Sequence, residues 1–251
     1  MCLHILRAGN DKIDMEENKV NKIGIIGAMK IEVETLQEQM ENVTLTKKAS
    51  MEFHHGILNE KEVVVVQSGI GKVNAAVCTQ ILVDDFQVEA VINTGIAGSL
   101  KNEINIGDIV VSTDTLQHDV DAREFGYQKG QIPGMEVFSF VANAALREKA
   151  VSVCKKVNPD IEVFEGRIVS GDQFVANAEV KDELIKTYAG CCTEMEGAAI
   201  AQVAYLNKIP FVILRAISDK ADNSATMDYP TFEKQAAWHC VNLVSEMLRE
   251  L

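Results

Sequence analysis

Four acidic residues stand where the surrounding pattern is apolar. Glu32 follows GIIGAM (24–29), Glu194 and Glu196 flank Met195 in CCTEMEGAAIA (191–201), and Asp219 closes PFVILRAISD (210–219). Carboxyl groups removed from water have raised pKa values, and unlike surroundings divide such a set into a protonated acid and an ionised base. That division suits breaking a bond whose leaving group takes up a proton while a nucleophile is activated. A buried carboxylate also needs hydrogen-bond partners, without which burial costs roughly several kcal/mol, and ligand hydroxyls are one source. Each residue also has an ordinary use. Glu32 suits a helix start, where the dipole favours an acid. Asp219 suits the cap of a following turn, and Met195 suits a core.

Other strand ends carry chemistry too. NTGIAGSL (93–100) places two glycines in what reads as a corner after a strand, and Gly98 there permits close backbone approach to a ligand or simply a tight turn. SGIGK (68–72) offers a similar turn without phosphate-loop spacing, and GIIGAMKIEVE (24–34) lacks the dinucleotide spacing. SGDQFVAN (170–177) sets Phe174 just beyond a strand, where an aromatic face stacks on a flat heterocycle or packs in a core. The five histidines show no metal-ligand spacing.

The elements that must position these residues alternate. Strands are expected at 22–28, 62–68, 88–95, 107–113, 166–172, 191–195 and 210–219, several as continuous Val/Ile runs suited to burial on both faces. Helical patterns fill 31–40, 72–86, 141–156, 179–188 and 196–206, and a last helix is expected from about Thr231 to the end. The alternation predicts an α/β fold: a twisted, mixed, mostly parallel central sheet flanked by helices in three layers. Residues 114–140 read as irregular. In such sheets ligands bind beyond the carboxyl ends of strands, which is where the acids fall.

Bulk properties bound the reading. The 251 residues suit one domain, here 22–251, and the 47% hydrophobic and 24% charged composition is that of a globular chain. A net charge of −13 argues against nucleic-acid binding, which rests on clustered Lys and Arg. Six cysteines without a CxxC pair suit reduced thiols and a cytoplasmic location, and no apolar run has membrane-spanning length. Residues 1–21 read as a disordered extension, with Met15 an alternative start.

Taken in order, KIGIIGAMKIEVE, SGIGKVNAA, NTGIAGSL, GDIVVS, HDVDAREFGYQKGQIPG, VSGDQFV, EMEGAAIA and RAISDKAD closely resemble the 5′-methylthioadenosine/S-adenosylhomocysteine nucleosidases of the nucleoside phosphorylase superfamily, from about Lys22 to the C-terminus. The resemblance implies a nucleoside phosphorylase-like fold and hydrolysis of the N-glycosidic bond of these nucleosides, with no metal or organic cofactor. It implies Glu32 as the base at the attacking water and Asp219 as the acid that protonates N7 of adenine. Glu196 would hold the ribose hydroxyls and Met195 the sugar face. Phe174 would stack on adenine while the backbone of Val175 reads its edge. Ser218 and Arg215 would support the acid and the pocket. Met29, Ile70 and Tyr229 would surround the 5′-alkylthio group, and Ala122, Phe125 and Pro133 would close that pocket from the partner of a homodimer.

Departures from the family pattern fall around the tail: Ile96 where a hydroxyl residue is common, Tyr229 in place of Phe, and a small Ala122. Three rival readings stand beside the nucleosidase. A purine nucleoside phosphorylase would need cationic phosphate anchors where GAMKIE supplies Met29 and Glu32. An aminodeoxyfutalosine nucleosidase would use the same residues, and a non-catalytic nucleoside-binding module would not need all three acids.

Overall fold

The Val/Ile runs, apolar on both faces, form the middle of one sheet because only there are both faces covered. The computed structural model describes residues 20–251, so the expected N-terminal extension lies, up to residue 19, outside the described residues. The strands are β1 (Lys22–Gly27), β2 (Glu41–Lys48), β3 (Met51–Leu58), β4 (Lys61–Gln67), β5 (Ala90–Ser99), β6 (Ile109–Gln117), β7 (Phe140–Val141), β8 (Val163–Ser170), β9 (Cys192–Glu194) and β10 (Phe211–Asp219). The helices are α1 (Glu34–Glu38), α2 (Lys72–Asp84), α3 (Ala144–Val157), α4 (Ala178–Tyr188), α5 (Gly197–Asn207) and α6 (Ala225–Glu250).

The expected mixed sheet is present. β4, β1, β5 and β10 run parallel in that order, as do β6, β8 and β9. Antiparallel pairings join β10 to β6 and β9 to β5. Since β10 pairs with both β5 and β6, and β9 with both β5 and β8, five strands close on themselves. Closure draws the ends of β5, β8, β9 and β10 together, and β1 and β4 extend the sheet beside them. α1, α3 and α6 share one apolar core with one side of the sheet. α2 and α5 share another with the opposite side. The three expected layers follow.

Several local expectations are corrected. The helix expected over 31–40 is a 3₁₀ turn at Lys30–Glu32 followed by the five-residue α1. The carboxylate of Glu32 folds back onto the backbone before it, so it does not sit at the start of a long helix. NTGIAGSL is no corner: β5 continues through Ser99, buried along its whole length. Residues 41–58, to which no element is assigned above, form the hairpin β2–β3 that ends the sheet, with β2 exposed throughout. β6 extends to Gln117 and β7 pairs with it, trimming the irregular segment at both ends. The last helix starts at Ala225, six residues before the expected Thr231, with Pro230 inside its first turns.

Candidate active site

The converging strand ends enclose a cavity of about 440 Å³, within the usual range for a small-molecule pocket. Each element brings its own piece. The turn after β1 supplies Met29 and Glu32, and the loop after β4 supplies Ile70. β5 supplies Gly98, and the loop after β8 supplies Phe174 and Val175. Met195 and Glu196 stand between β9 and α5, Ser218 and Asp219 end β10, and Tyr229 reaches in from α6. Of the residues expected to bind substrate, Arg215, Phe125 and Pro133 do not line the cavity. Arg215 is buried beneath it, Phe125 is 83% exposed, and Pro133 is also exposed on the surface. Ala122 is buried outside the lining.

Glu32 is held from three directions. Its Oε2 accepts from the N–H groups of Ala28 at 2.7 Å and Met29 at 2.9 Å, and its Oε1 accepts from Ile96 N–H at 3.1 Å. Burial pushes its pKa above the ordinary value, against the charge of Arg215 and these donors. Gly95 makes room for the arrangement: a Cβ there would stand 2.7 Å from Glu32 Oε1 and 2.9 Å from Arg215 Nη1. Ile96 has no hydroxyl, but its backbone supplies a contact to the acid.

Asp219 is placed by an irregularity. The register of β10 against β5 shifts between Ile217 and Asp219, and Asp219 lies opposite Gly98; such bulges re-aim side chains. Asp219 Oδ1 accepts from Ala221 N–H at 2.7 Å, and Oδ2 is 2.8 Å from the Ser218 hydroxyl. Burial pushes its pKa up, against those bonds, and the charges of Asp228 and Asp222 add to the rise. A Cβ at Gly98 would come within 2.8 Å of Asp219 Oδ1 and of Ala221 Cβ. The missing side chain at 98 therefore makes room for the acid itself.

The glutamate pair divides. Arg215 donates to Glu194 through Nη2 and, at 3.2 Å, through Nε; the Ser170 hydroxyl donates to the other oxygen. Glu194 also accepts from the N–H groups of Glu196 at 3.1 Å and Gly197 at 2.8 Å, which caps the first turn of α5. Burial acts upward on its pKa, but Arg215 and these donors outweigh it and hold Glu194 below its ordinary value. Glu196 keeps one backbone donor, Gly71 N–H at 2.8 Å. Burial first, then the Glu194 charge, push Glu196 up to about 8. Ligand hydroxyls are therefore not needed as partners by both glutamates. Glu194 is interior to neutralise Arg215 and cap a helix, and Glu196 alone has an oxygen without a close donor.

At the outer end the Tyr229 hydroxyl donates to Met29 Sδ at 3.2 Å, and the Tyr229 ring meets Phe174 edge-on with centroids 5.6 Å apart. Phe174 is half exposed, which leaves a face for a planar ligand. Gln173 and Thr193 also line the cavity and were not singled out from the sequence; polar residues beside a motif carry no periodic signal. No Lys or Arg side chain is among the lining residues.

The family model of the phosphorylase superfamily matches residues 22–249. The 5′-methylthioadenosine/S-adenosylhomocysteine nucleosidase of Bacillus pumilus (strain SAFR-032) is 43% identical over 233 residues, covering 91% of this chain and 99% of its own. A crystal structure of the Neisseria meningitidis nucleosidase of the same name, in complex with methylthio-immucillin-A, is similar with a TM-score of 0.89 and 40% identity, covering 92% of this chain and 100% of that one. The futalosine hydrolase of Helicobacter pylori strain 26695 is similar with a TM-score of 0.87 and 34% identity over 92% of this chain and 99% of that one.

Proposed function

The chain belongs to the phosphorylase superfamily, among its 5′-methylthioadenosine/S-adenosylhomocysteine nucleosidases, and from that premise we propose how its cavity works. The reaction is hydrolysis of the N-glycosidic bond of 5′-methylthioadenosine and S-adenosylhomocysteine, and of 5′-deoxyadenosine by the same chemistry. The products are adenine and the corresponding 5-alkylthioribose, or 5-deoxyribose from 5′-deoxyadenosine. The observation that carries the reading is a cavity lined by Glu32, Glu196 and Asp219, all shifted upward, without a cationic side chain in the lining.

Adenine is a poor leaving group until it is protonated. Asp219, whose burial favours the protonated form, gives its proton to N7 as the C1′–N9 bond breaks and that bond's electron pair moves onto the base. The Ser218 hydroxyl then donates to the new carboxylate. Glu32 orients the attacking water and takes its proton as the oxygen bonds to C1′. A raised pKa makes Glu32 a better proton acceptor than an exposed glutamate. Glu196 binds the ribose hydroxyls with its free oxygen, and negative charge beside the sugar favours the oxocarbenium-like transition state. Met195 covers the sugar face, Phe174 stacks on the base, and the Val175 backbone reads its edge. Met29, Ile70 and Tyr229 take the thioether tail.

Phosphate as nucleophile would meet carboxylates and no cation, which favours water. A homodimer is part of the same reading. Ile70, Val73 and Val77, all strongly exposed, continue at helical spacing from the cavity mouth along α2. Exposed apolar rows of this kind mark interfaces, and the partner would bring Ala122, Phe125 and Pro133 to the tail end. The test is adenine release from methylthioadenosine in phosphate-free buffer, followed by chromatography. Full turnover is expected; release that depends on added phosphate would overturn hydrolysis in favour of phosphorolysis.

A further inference from the structure

Lys181, on α4, is 7% exposed and lies outside the cavity lining. Lysine is almost never this buried without partners. Its ammonium donates to the carbonyl oxygen of Lys220 at 2.6 Å and stands 3.5 Å from Asp222 Oδ2. Both partners belong to the turn that follows Asp219. Between them, Ala221 is fully buried with φ of 51°, a left-handed conformation that a residue with a Cβ keeps only when its surroundings hold it there.

That conformation aims the N–H of Ala221 at Asp219 Oδ1. The same turn is clamped from other sides. Lys220 Nζ donates to the carbonyls of Ile104 at 2.6 Å and Asn102 at 3.2 Å, and Asp222 Oδ1 accepts from the N–H and hydroxyl of Ser224. α4 begins three residues after Val175, so a rigid helix links the loop carrying Phe174 to the turn carrying the acid's donor.

We propose that Lys181 is a positioning residue for Asp219: by clasping the Lys220 carbonyl and the Asp222 carboxylate it holds Ala221 in the strained turn that fixes the orientation of the acid. The proposal rests on Asp219 being the proton donor. Without the clasp, Ala221 relaxes, its N–H leaves the carboxyl group, and the acid loses its aim at the leaving base. The charged groups around Asp219 include Asp222 and Asp228, and Lys181 neutralises the first of these. Losing both the amide donor and that neutralisation acts in one direction, toward a more easily protonated Asp219.

The experiment measures kcat and KM for methylthioadenosine against pH, per folded enzyme, for Lys181→Met, Lys181→Gln and Lys181→Arg. Lys181→Met is expected to lower kcat roughly tenfold at KM within about twofold, and to move the alkaline limb of kcat upward by about one pH unit. Lys181→Arg, which keeps the charge and donors, is expected to restore most of the rate. Should Lys181→Met fail to fold, Lys181→Gln carries the test, with a smaller loss in kcat and the same upward limb. A lowered melting temperature with kcat and the pH profile unchanged in these variants would reduce Lys181 to a structural residue and overturn the proposal. Asp219→Asn run in parallel separates the two levels: full activity there refutes Asp219 as the acid, whatever Lys181 does.

Discussion

Glu194 and Glu196 stand two residues apart and both are buried, yet Arg215 takes one and leaves the other. Its guanidinium binds Glu194 through two nitrogens, while its nearest approach to Glu196 is 3.9 Å. Two further Arg215 N–H groups go to Asn93 Oδ1 at 2.6 Å and the Leu214 carbonyl at 3.1 Å, so four of the five guanidinium donors are engaged inside the protein and none with Glu196. One fixed negative charge at Glu194 then makes a second at Glu196 expensive until a ligand supplies hydroxyl donors.

Removing Arg215 should therefore unfold the protein more readily than any cavity mutation. Arg215→Met leaves Glu194 buried and uncompensated, a loss of about 3–5 kcal/mol. Urea denaturation followed by circular dichroism measures it; a loss below about 1 kcal/mol would mean Glu194 simply takes up a proton and the pair contributes little.

Asp219→Asn keeps the shape and removes the proton. Turnover should fall by about 10²–10⁴, while a non-hydrolysable adenosine analogue binds within a few-fold of its original affinity by calorimetry. Unimpaired turnover moves the acid elsewhere.

Glu196 makes stability depend on pH with a definite sign. Its folded pKa, about 8, lies above the ordinary 4.5, so the folded state binds the proton more tightly than the unfolded one. The stabilisation is complete below the unfolded value and is lost as pH rises toward 8. Without ligand, the melting temperature should fall more steeply between pH 5 and 8 than that of Glu196→Gln. Parallel curves for the two proteins would contradict the raised pKa.

Phe125 exposes an aromatic ring to solvent in the single chain, so Phe125→Ala should change monomer stability by no more than about 0.5 kcal/mol. If the partner's Phe125 closes the tail pocket, KM for methylthioadenosine should rise roughly tenfold. Sedimentation velocity reports whether the wild-type chain is a dimer; a monomer with unchanged KM in the variant removes the proposed role.

Much of the site was legible because its chemistry conflicts with its surroundings. An acid at the end of an apolar strand, as at Asp219, or a pair within a small-residue run, as at Glu194 and Glu196, contradicts the local pattern. Motif order along the chain supplied the roles implied for Glu32 and Phe174. The Val/Ile runs of β1, β4 and β10 identified the buried parallel strands, since only residues covered on both faces can be so uniformly apolar. β2 escaped because ENVTLTKK is exposed along its whole length, Val43 and Leu45 included, and carries no buried apolar run; its pairing with β3 fixes it as a strand.

By itself, then, the sequence determined the alternation of elements and which residues are chemically out of place. Tertiary structure decided their partners. Whether Glu194 or Glu196 is neutralised depends on where Arg215 arrives from β10, and whether Asp219 is aimed depends on a bulge opposite Gly98 and on Lys181 reaching across from α4. Such pairings join residues up to scores of positions apart through strand closure and burial, and neither local spacing nor periodicity carries that information.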